Sequence, residues 1–156
     1  MNSLLTRLSI PFTKHHPVES FSRATLEHAE MTLDESLHEF YEATESFGSK
    51  PSFELAVDLC LASRTAWLKV FPAWRVAGDS IGQTVQQSRD LFGKSASLLE
   101  EFRRTLSDKE KLEKVVQFTA NVKWRFEMAS VMADTSEDFD TRIEKIIELE
   151  IQHSRS

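Results

Sequence analysis

The sequence contains few of the residues that end strands or cross-link small domains. Its 156 residues include only 4 glycines, 4 prolines and 1 cysteine. Because a domain of many short strands needs more turn residues than this, a β-rich fold is excluded. The single thiol, Cys60, cannot form a disulfide within the chain, and its apolar neighbours predict a buried side chain rather than a nucleophile. One unpaired cysteine fits a reducing compartment, which predicts an intracellular, cytoplasmic location.

The chain also lacks a net positive charge and a long uninterrupted apolar run. The chain has 25 acidic and 19 basic residues, a formal net charge of −6, and no basic stripe. Nucleic acid is therefore excluded as a partner. The most apolar stretch, residues 53–77, is interrupted by charged side chains, so it does not reach the roughly 18 uncharged residues of a membrane span.

The linear motifs of common catalytic sites are missing as well. The sequence has no glycine-rich phosphate loop, no cysteine pair at zinc spacing and no Gly-x-Ser-x-Gly nucleophile turn. We therefore predict that the protein has no enzymatic activity, binds no cofactor and holds no metal.

Aromatic residues, by contrast, are plentiful. The 11 phenylalanines and 3 tryptophans, within a hydrophobic share of 40%, can offset the entropy lost on ordering and indicate a packed core. A length of 156 residues fits one domain. We predict an all-α antiparallel bundle of four to five helices over residues 19–156, preceded by a flexible or amphipathic basic arm over residues 1–18.

The first two predicted helices differ in how much of their surface is apolar. Helix one, over residues 20–47, carries a single apolar stripe and is ended by Gly48 in a left-handed conformation. A capping box formed by Thr32 and Glu35 would add a break within it. Helix two, over residues 52–71, is apolar around nearly its whole circumference, which predicts a central position.

Pro72 separates helix two from helix three, because proline costs about 3 kcal/mol inside a helix but is welcome in its first turn. The chain should therefore kink or restart there, and helix three should span residues 72–106. A capping box over residues 107–110 begins helix four, and helix five begins near residues 135–136.

Helix three carries a heptad repeat, which is the most regular feature of the chain. Apolar or small residues recur at alternating intervals of four and three, and this spacing keeps one side of a helix against a partner for about 50 Å. The seam closes either within one chain or between two chains. Its members are Trp74, Gly78, Ile81, Val85, Ser88, Phe92, Ser95, Leu99, Phe102 and Leu106.

Helix four has apolar residues on two sides. Its main stripe faces the bundle, whereas Trp124, Met128 and Val131 lie on the opposite side by the rotation of about 100° per residue. An aromatic, a methionine and an aliphatic side chain exposed together on a helix are typical of a protein interface. We predict that these three residues bind a protein partner or a second copy of the chain. The alternative is that another helix of the same chain covers them.

The first 18 residues contain no Asp or Glu. Leu4, Leu5 and Leu8 share one helical face beside Arg7, a composition typical of mitochondrial transit peptides and of short interfacial membrane anchors. The arm is therefore a candidate for contact with a membrane surface or for targeting. The alternative is a frayed terminus or an arm that packs on the bundle.

Two Glu-x-x-His spacings, Glu35 with His38 and Glu150 with His153, match those of ferritin-like di-iron bundles. On helix one, however, this pair lies away from the apolar stripe, and helix three supplies no inward glutamate to accompany it. Two solvated helix surfaces explain the spacings, and a di-metal oxidase is the distant alternative.

These features favour a non-enzymatic helical interaction or scaffold protein. It would present helix surfaces to protein partners and associate with itself. A peripheral membrane or mitochondrially targeted protein, acting through residues 1–18, is the alternative function.

Overall fold

The computed structural model of the protein describes residues 31–155, and within this range five α-helices follow one another with short connections and without strands. The predicted all-α bundle of four to five helices is confirmed. The predicted arm, residues 1–18, lies outside the described residues, as does the start of predicted helix one. The elements are α1 (Leu33–Ser49), α2 (Phe53–Ala77), a 3₁₀ turn (Gly78–Ile81), α3 (Gly82–Arg103), α4 (Lys109–Ala133) and α5 (Phe139–Arg155).

Contacts between side chains give the directions of the helices. Phe40 of α1 packs on Phe92 of α3 with ring centroids 5.1 Å apart, and one turn later Thr44 hydrogen-bonds Ser95 at 3.1 Å. These two helices therefore run parallel. By the same reasoning α3 and α4 are antiparallel, as are α4 and α5. The contacts that set these directions are Arg89–Ser130 and Gly93–Phe126 for the first pair, and Met132–Arg142 and Trp124–His153 for the second.

The result is an up-and-down bundle with one helix added to its outside. The helices α1, α2, α4 and α3 pack in that order around the four sides, and α5 packs on the outer side of α4. This arrangement gives α4 three helical neighbours, so most of its surface is buried.

Side-chain oxygens cap α1, α2 and α4 at their N-termini, whereas α3 has no side-chain cap. The Thr32 hydroxyl accepts from the backbone N–H of Glu35 at 3.1 Å, and the Glu35 carboxylate accepts from the backbone N–H of Thr32 at 2.8 Å. This geometry confirms the capping box and the start of a helix just after Met31. α4 is capped by Asp108 rather than by a box over residues 107–110, and α5 begins later than predicted.

The end of α1 also differs from the prediction. The helix continues past Gly48 to Ser49, and Gly48 has no positive φ, so its predicted left-handed conformation is wrong. The backbone N–H of Lys50 closes the last turn by donating to the carbonyl of Ser46 at 3.2 Å.

The predicted helix boundary at Pro72 is wrong, because α2 continues through this residue and ends at Ala77. The break comes at Gly78, where a φ of 62° places the backbone in the left-handed region that favours glycine. Phe71 and Trp74, on either side of the proline, are both fully buried. Their packing outweighs the loss of one helical hydrogen bond. A bend of the helix axis at Pro72 stays a prediction.

The heptad seam closes within the chain. Val85, Phe92 and Leu99 are buried in the common core, although the 3₁₀ turn interrupts the seam near its start. The small seam residue Ser95 is also fully buried, and it lets α1 approach closely enough for its hydrogen bond with Thr44. The seam is therefore core, and no second chain is needed to bury it.

A buried arginine fixes the start of α5 to the turn after α2. Arg142 is 3% exposed and donates to the two carboxylate oxygens of Asp79 at 2.9 and 3.0 Å, and to the carbonyl of Met132 at 2.9 Å. Its hydrogen bonds lower the pKa of the Asp79 carboxyl. The Arg142 guanidinium lies over the Trp74 ring, which packs on Phe139 with ring centroids 4.6 Å apart. This corner holds α5 against the bundle, where it covers one side of α4.

Candidate functional site

The predicted interface on α4 is covered by the chain itself. Trp124 is 4% exposed, Met128 is fully buried, and Val131 is half-buried against the core. α5 runs along this side, and the His153 ring stacks on the Trp124 indole with centroids 4.0 Å apart and an angle of 7° between the planes. The prediction that these three residues are exposed, on which the predicted interface depends, is therefore wrong. The alternative, that another helix of the same chain covers them, is correct.

A different strip of α4 faces solvent. Val116 is 43% exposed, and Ala120, Lys123 and Glu127 are exposed on the same side of the helix. These four residues, here called the α4 ridge, lie between the side of α4 that packs on α3 and the side that packs on α5. They form the one long strip of α4 that the described helices leave open to solvent.

A groove runs along each side of the α4 ridge. The groove between α3 and α4 has a volume of about 560 Å³, and the groove between α4 and α5 has a volume of about 260 Å³. Lys123 borders both. Small side chains in the wider groove, including Ala96, Ser97 and Thr119, leave room for the side chains of another helix. A ridge flanked by grooves is the surface shape through which two helices pack.

Charges of both signs border the wider groove. Arg103 pairs with Glu100 at 2.7 Å, and this contact lowers the pKa of the Glu100 carboxyl. Arg104 lies 3.5 Å from the same carboxylate. With Glu101 and Lys123, the groove has three cations and two carboxylates along it, on a chain whose net charge is −6. The surface beside the α4 ridge is therefore more positive than the protein as a whole.

Near the narrower groove, α5 carries a buried acid. Glu150 is 6% exposed; its Oε1 atom accepts from the Ser154 hydroxyl at 3.3 Å, and its Oε2 atom has no hydrogen-bond partner within residues 31–155. Burial raises the pKa of Glu150 to about 7. The carboxyl therefore changes its ionisation near neutral pH rather than in the acid range.

The two Glu-x-x-His pairs do not form a metal site. Glu35 serves in the capping box at the start of α1, and His38 is exposed on that helix. Glu150 is buried on α5, and His153 stacks on an indole. In the part of the chain that the structure describes, no group of three or more His, Cys, Asp or Glu residues is placed to hold a metal ion. The di-metal arrangement is therefore wrong for these residues.

The predicted targeting residues Leu4, Leu5, Arg7 and Leu8 lie outside the described residues. Across residues 31–155, no helix is both long enough and apolar enough to cross a bilayer.

Sequence reasoning missed the α4 ridge because it looked for large apolar side chains. Those of the second side of α4 are buried, whereas the exposed strip combines one valine and one alanine with a lysine and a glutamate. The sequence signal that could have identified the α4 ridge is the remaining side of predicted helix four, because the other two sides of that helix are apolar.

Comparisons of the chain with protein-family models, with curated proteins and with solved structures find no significant match.

Proposed function

We propose that this chain is a non-enzymatic interaction or scaffold protein that binds protein partners through the α4 ridge, and that a second copy of the chain is one of these partners. The observation that carries the proposal is an exposed strip with a groove on each side, on a helix that is otherwise buried. Such a surface is complementary in shape to another helix.

The composition of the α4 ridge suits self-association. Ala120 allows close approach of a second helix, and Val116 adds apolar area. When two α4 ridges pack antiparallel about a two-fold axis, Lys123 of one chain can lie beside Glu127 of the other, and the symmetry repeats the pair. Two ion pairs would then set the register of the two helices.

Substitution of Ala120 tests the proposal. We expect light scattering after size-exclusion chromatography to give the wild type a molar mass above the 17.9 kDa of one chain, rising with concentration. Ala120→Arg should return the mass to that of one chain, because a bulky cation obstructs the approach of the second helix.

The matched control places the same side chain elsewhere. Ser46→Arg, on the exposed side of α1, should associate as the wild type does. Circular dichroism of each variant checks that the helices are retained. A wild-type mass of 17.9 kDa at every concentration would contradict self-association.

An alternative function rests on residues 1–18, which contain no Asp or Glu. The arm would bring the protein to a membrane surface or to mitochondria through Leu4, Leu5, Arg7 and Leu8. The single, buried Cys60 instead supports an intracellular, cytoplasmic location. Microscopy of the full chain fused to a fluorescent protein distinguishes the two, because the change Leu5→Glu should move only a protein that is targeted by its arm.

A further inference from the structure

The wider groove, between α3 and α4, gathers cations around a single carboxylate oxygen. The Oε2 atom of Glu100 accepts from the Nε atom of Arg103 at 2.9 Å, and the Nη2 atom of the same guanidinium lies 2.7 Å away. The Nη2 atom of Arg104 lies 3.5 Å from that oxygen. Lys123 borders the groove as well, and all three cations lower the pKa of the Glu100 carboxyl, Arg103 by the most. The Glu100 Oε2 atom therefore marks a point toward which several cations are drawn.

These cationic side chains carry more donors than one carboxylate can use. A guanidinium has five N–H groups and an ammonium has three. The contacts with Glu100 use three guanidinium nitrogens, and they converge on one oxygen atom. The side chains of Arg103 and Arg104 are 37% and 69% exposed. Their remaining N–H groups can therefore reach a ligand that enters the groove from solvent.

The groove has the shape and the charge to hold a small anionic group. Its volume of about 560 Å³ lies within the range of about 300 to 1,000 Å³ that is typical of ligand pockets. Ala96 and Thr119 line it with small side chains, and the exposed Ser97 adds a hydroxyl donor. Three cations against two carboxylates leave one positive charge in excess. The narrower groove has one lysine and one glutamate, so it lacks this excess.

We propose that the wider groove binds a phosphate monoester, which Arg103, Arg104 and Lys123 hold together with the Ser97 hydroxyl. A phosphate monoester carries nearly two negative charges and three strong acceptor oxygens near neutral pH, more of both than a carboxylate. Arginine donates to phosphate through two parallel N–H groups, which suits a site with two neighbouring guanidiniums. The Glu100 carboxylate occupies the same donors, so it competes with the ligand.

Titration of the isotope-labelled full chain with inorganic phosphate, followed by NMR, tests the site. The titration is run at about pH 7.5, where phosphate is mainly dianionic, and at an ionic strength held constant with sodium chloride. The backbone amide signals of residues 96–104 and 119–123 should shift and saturate. We expect a Kd on the order of 1 mM, as for a few charge-assisted hydrogen bonds at a site open to water. One chain is sufficient for this binding, so the result does not depend on the proposed function.

Substitutions at exposed side chains locate the binding. Arg104→Gln and Lys123→Gln should each weaken phosphate binding, Arg104→Gln by about tenfold or more, because a charge-assisted donor is lost. Glu100→Gln should strengthen binding about threefold, since the competing carboxylate no longer repels the dianion. Arg75→Gln and Glu144→Gln make the same changes at exposed positions outside the groove, so both should bind phosphate as the wild type does. Circular dichroism checks that each variant retains its helices.

Two larger ligands distinguish the possible sources of the phosphate group. One is a five-residue peptide with a central phosphoserine, and the other is the sugar phosphate glucose 6-phosphate. A ligand whose body contacts the small side chains of the groove should bind about tenfold tighter than inorganic phosphate. Such a gain for the peptide would identify a phosphorylated protein as the source, whereas the same gain for the sugar phosphate would identify a small molecule.

Two results would overturn the proposal. One is a titration in which the signals of the groove residues show no saturable shift with phosphate. The other is equal affinity for phosphate in Arg104→Gln, Lys123→Gln and the control Arg75→Gln, because the bound ion would then lie outside the groove. Weaker binding by Glu100→Gln than by the wild type would contradict the competing role of the Glu100 carboxylate.

Discussion

Glu150 should make the stability of the bundle depend on pH near neutrality. Glu150 is 6% exposed, and burial raises the pKa of its carboxyl from 4.5 to about 7. Between these two values the unfolded chain carries an ionised carboxylate while the folded chain keeps the proton, so raising the pH favours unfolding. The stabilisation is complete below the unfolded pKa of 4.5 and is lost as the pH rises through about 7.

The size of the effect follows from the shift in pKa. At about 1.36 kcal/mol per pKa unit, the shift corresponds to about 3 kcal/mol of unfolding free energy. Glu150→Gln keeps the size of the side chain and cannot ionise. Relative to the wild type, this variant should gain about 2 to 3 kcal/mol of stability between about pH 5 and about pH 8. Urea unfolding followed by circular dichroism across this range measures the difference.

A neighbouring acid on α5 provides the control. Glu148 is exposed, so Glu148→Gln should follow the pH profile of the wild type. If the profile of Glu150→Gln also ran parallel to that of the wild type, the Glu150 carboxyl would not be held neutral by burial, and the reasoning would be refuted.

Two further predictions concern the Asp79–Arg142 ion pair, which joins the 3₁₀ turn to α5, and the glycines of α3. Asp79→Ala should lower the unfolding free energy by about 2 kcal/mol, measured by urea unfolding, because the buried Arg142 guanidinium loses a bidentate partner. Gly82→Ala should raise the unfolding free energy by up to about 1 kcal/mol, seen as a higher melting temperature, since its new Cβ meets nothing within 4 Å. Gly93→Ala should not give this gain, because its Cβ would lie 3.0 Å from the Phe126 ring; equal gains for the two glycines would contradict the packing described.

Sequence patterns predicted the features of the fold that depend on residues close together in the chain. The Thr32–Glu35 capping box is local, and its two hydrogen bonds form as its spacing indicates. The heptad spacing correctly places Val85, Phe92 and Leu99 in the core, because side chains separated by three and four residues share one side of a helix. Helix number, helix order and the core side of α3 therefore follow from the sequence.

The predictions failed where contacts between distant residues decide the outcome. The intrinsic cost of proline at position 72 is outweighed by the packing of its buried neighbours, so the break moves to Gly78. Whether Trp124 and Met128 face solvent depends on α5, which a pattern within α4 cannot reveal. The α4 ridge was missed for a different reason, since its valine, alanine, lysine and glutamate lack the large apolar side chains by which an interface was sought.

Mixing of two charge-reversed chains tests the proposed association through the α4 ridge most directly. Lys123→Glu alone and Glu127→Lys alone each place like charges together in a symmetric pair, so light scattering should report single chains for each variant. An equimolar mixture restores both ion pairs and should therefore regain the mass of a dimer. If each variant associated like the wild type, or if the mixture stayed at the mass of one chain while the wild type formed dimers, the α4 ridge would not be the interface.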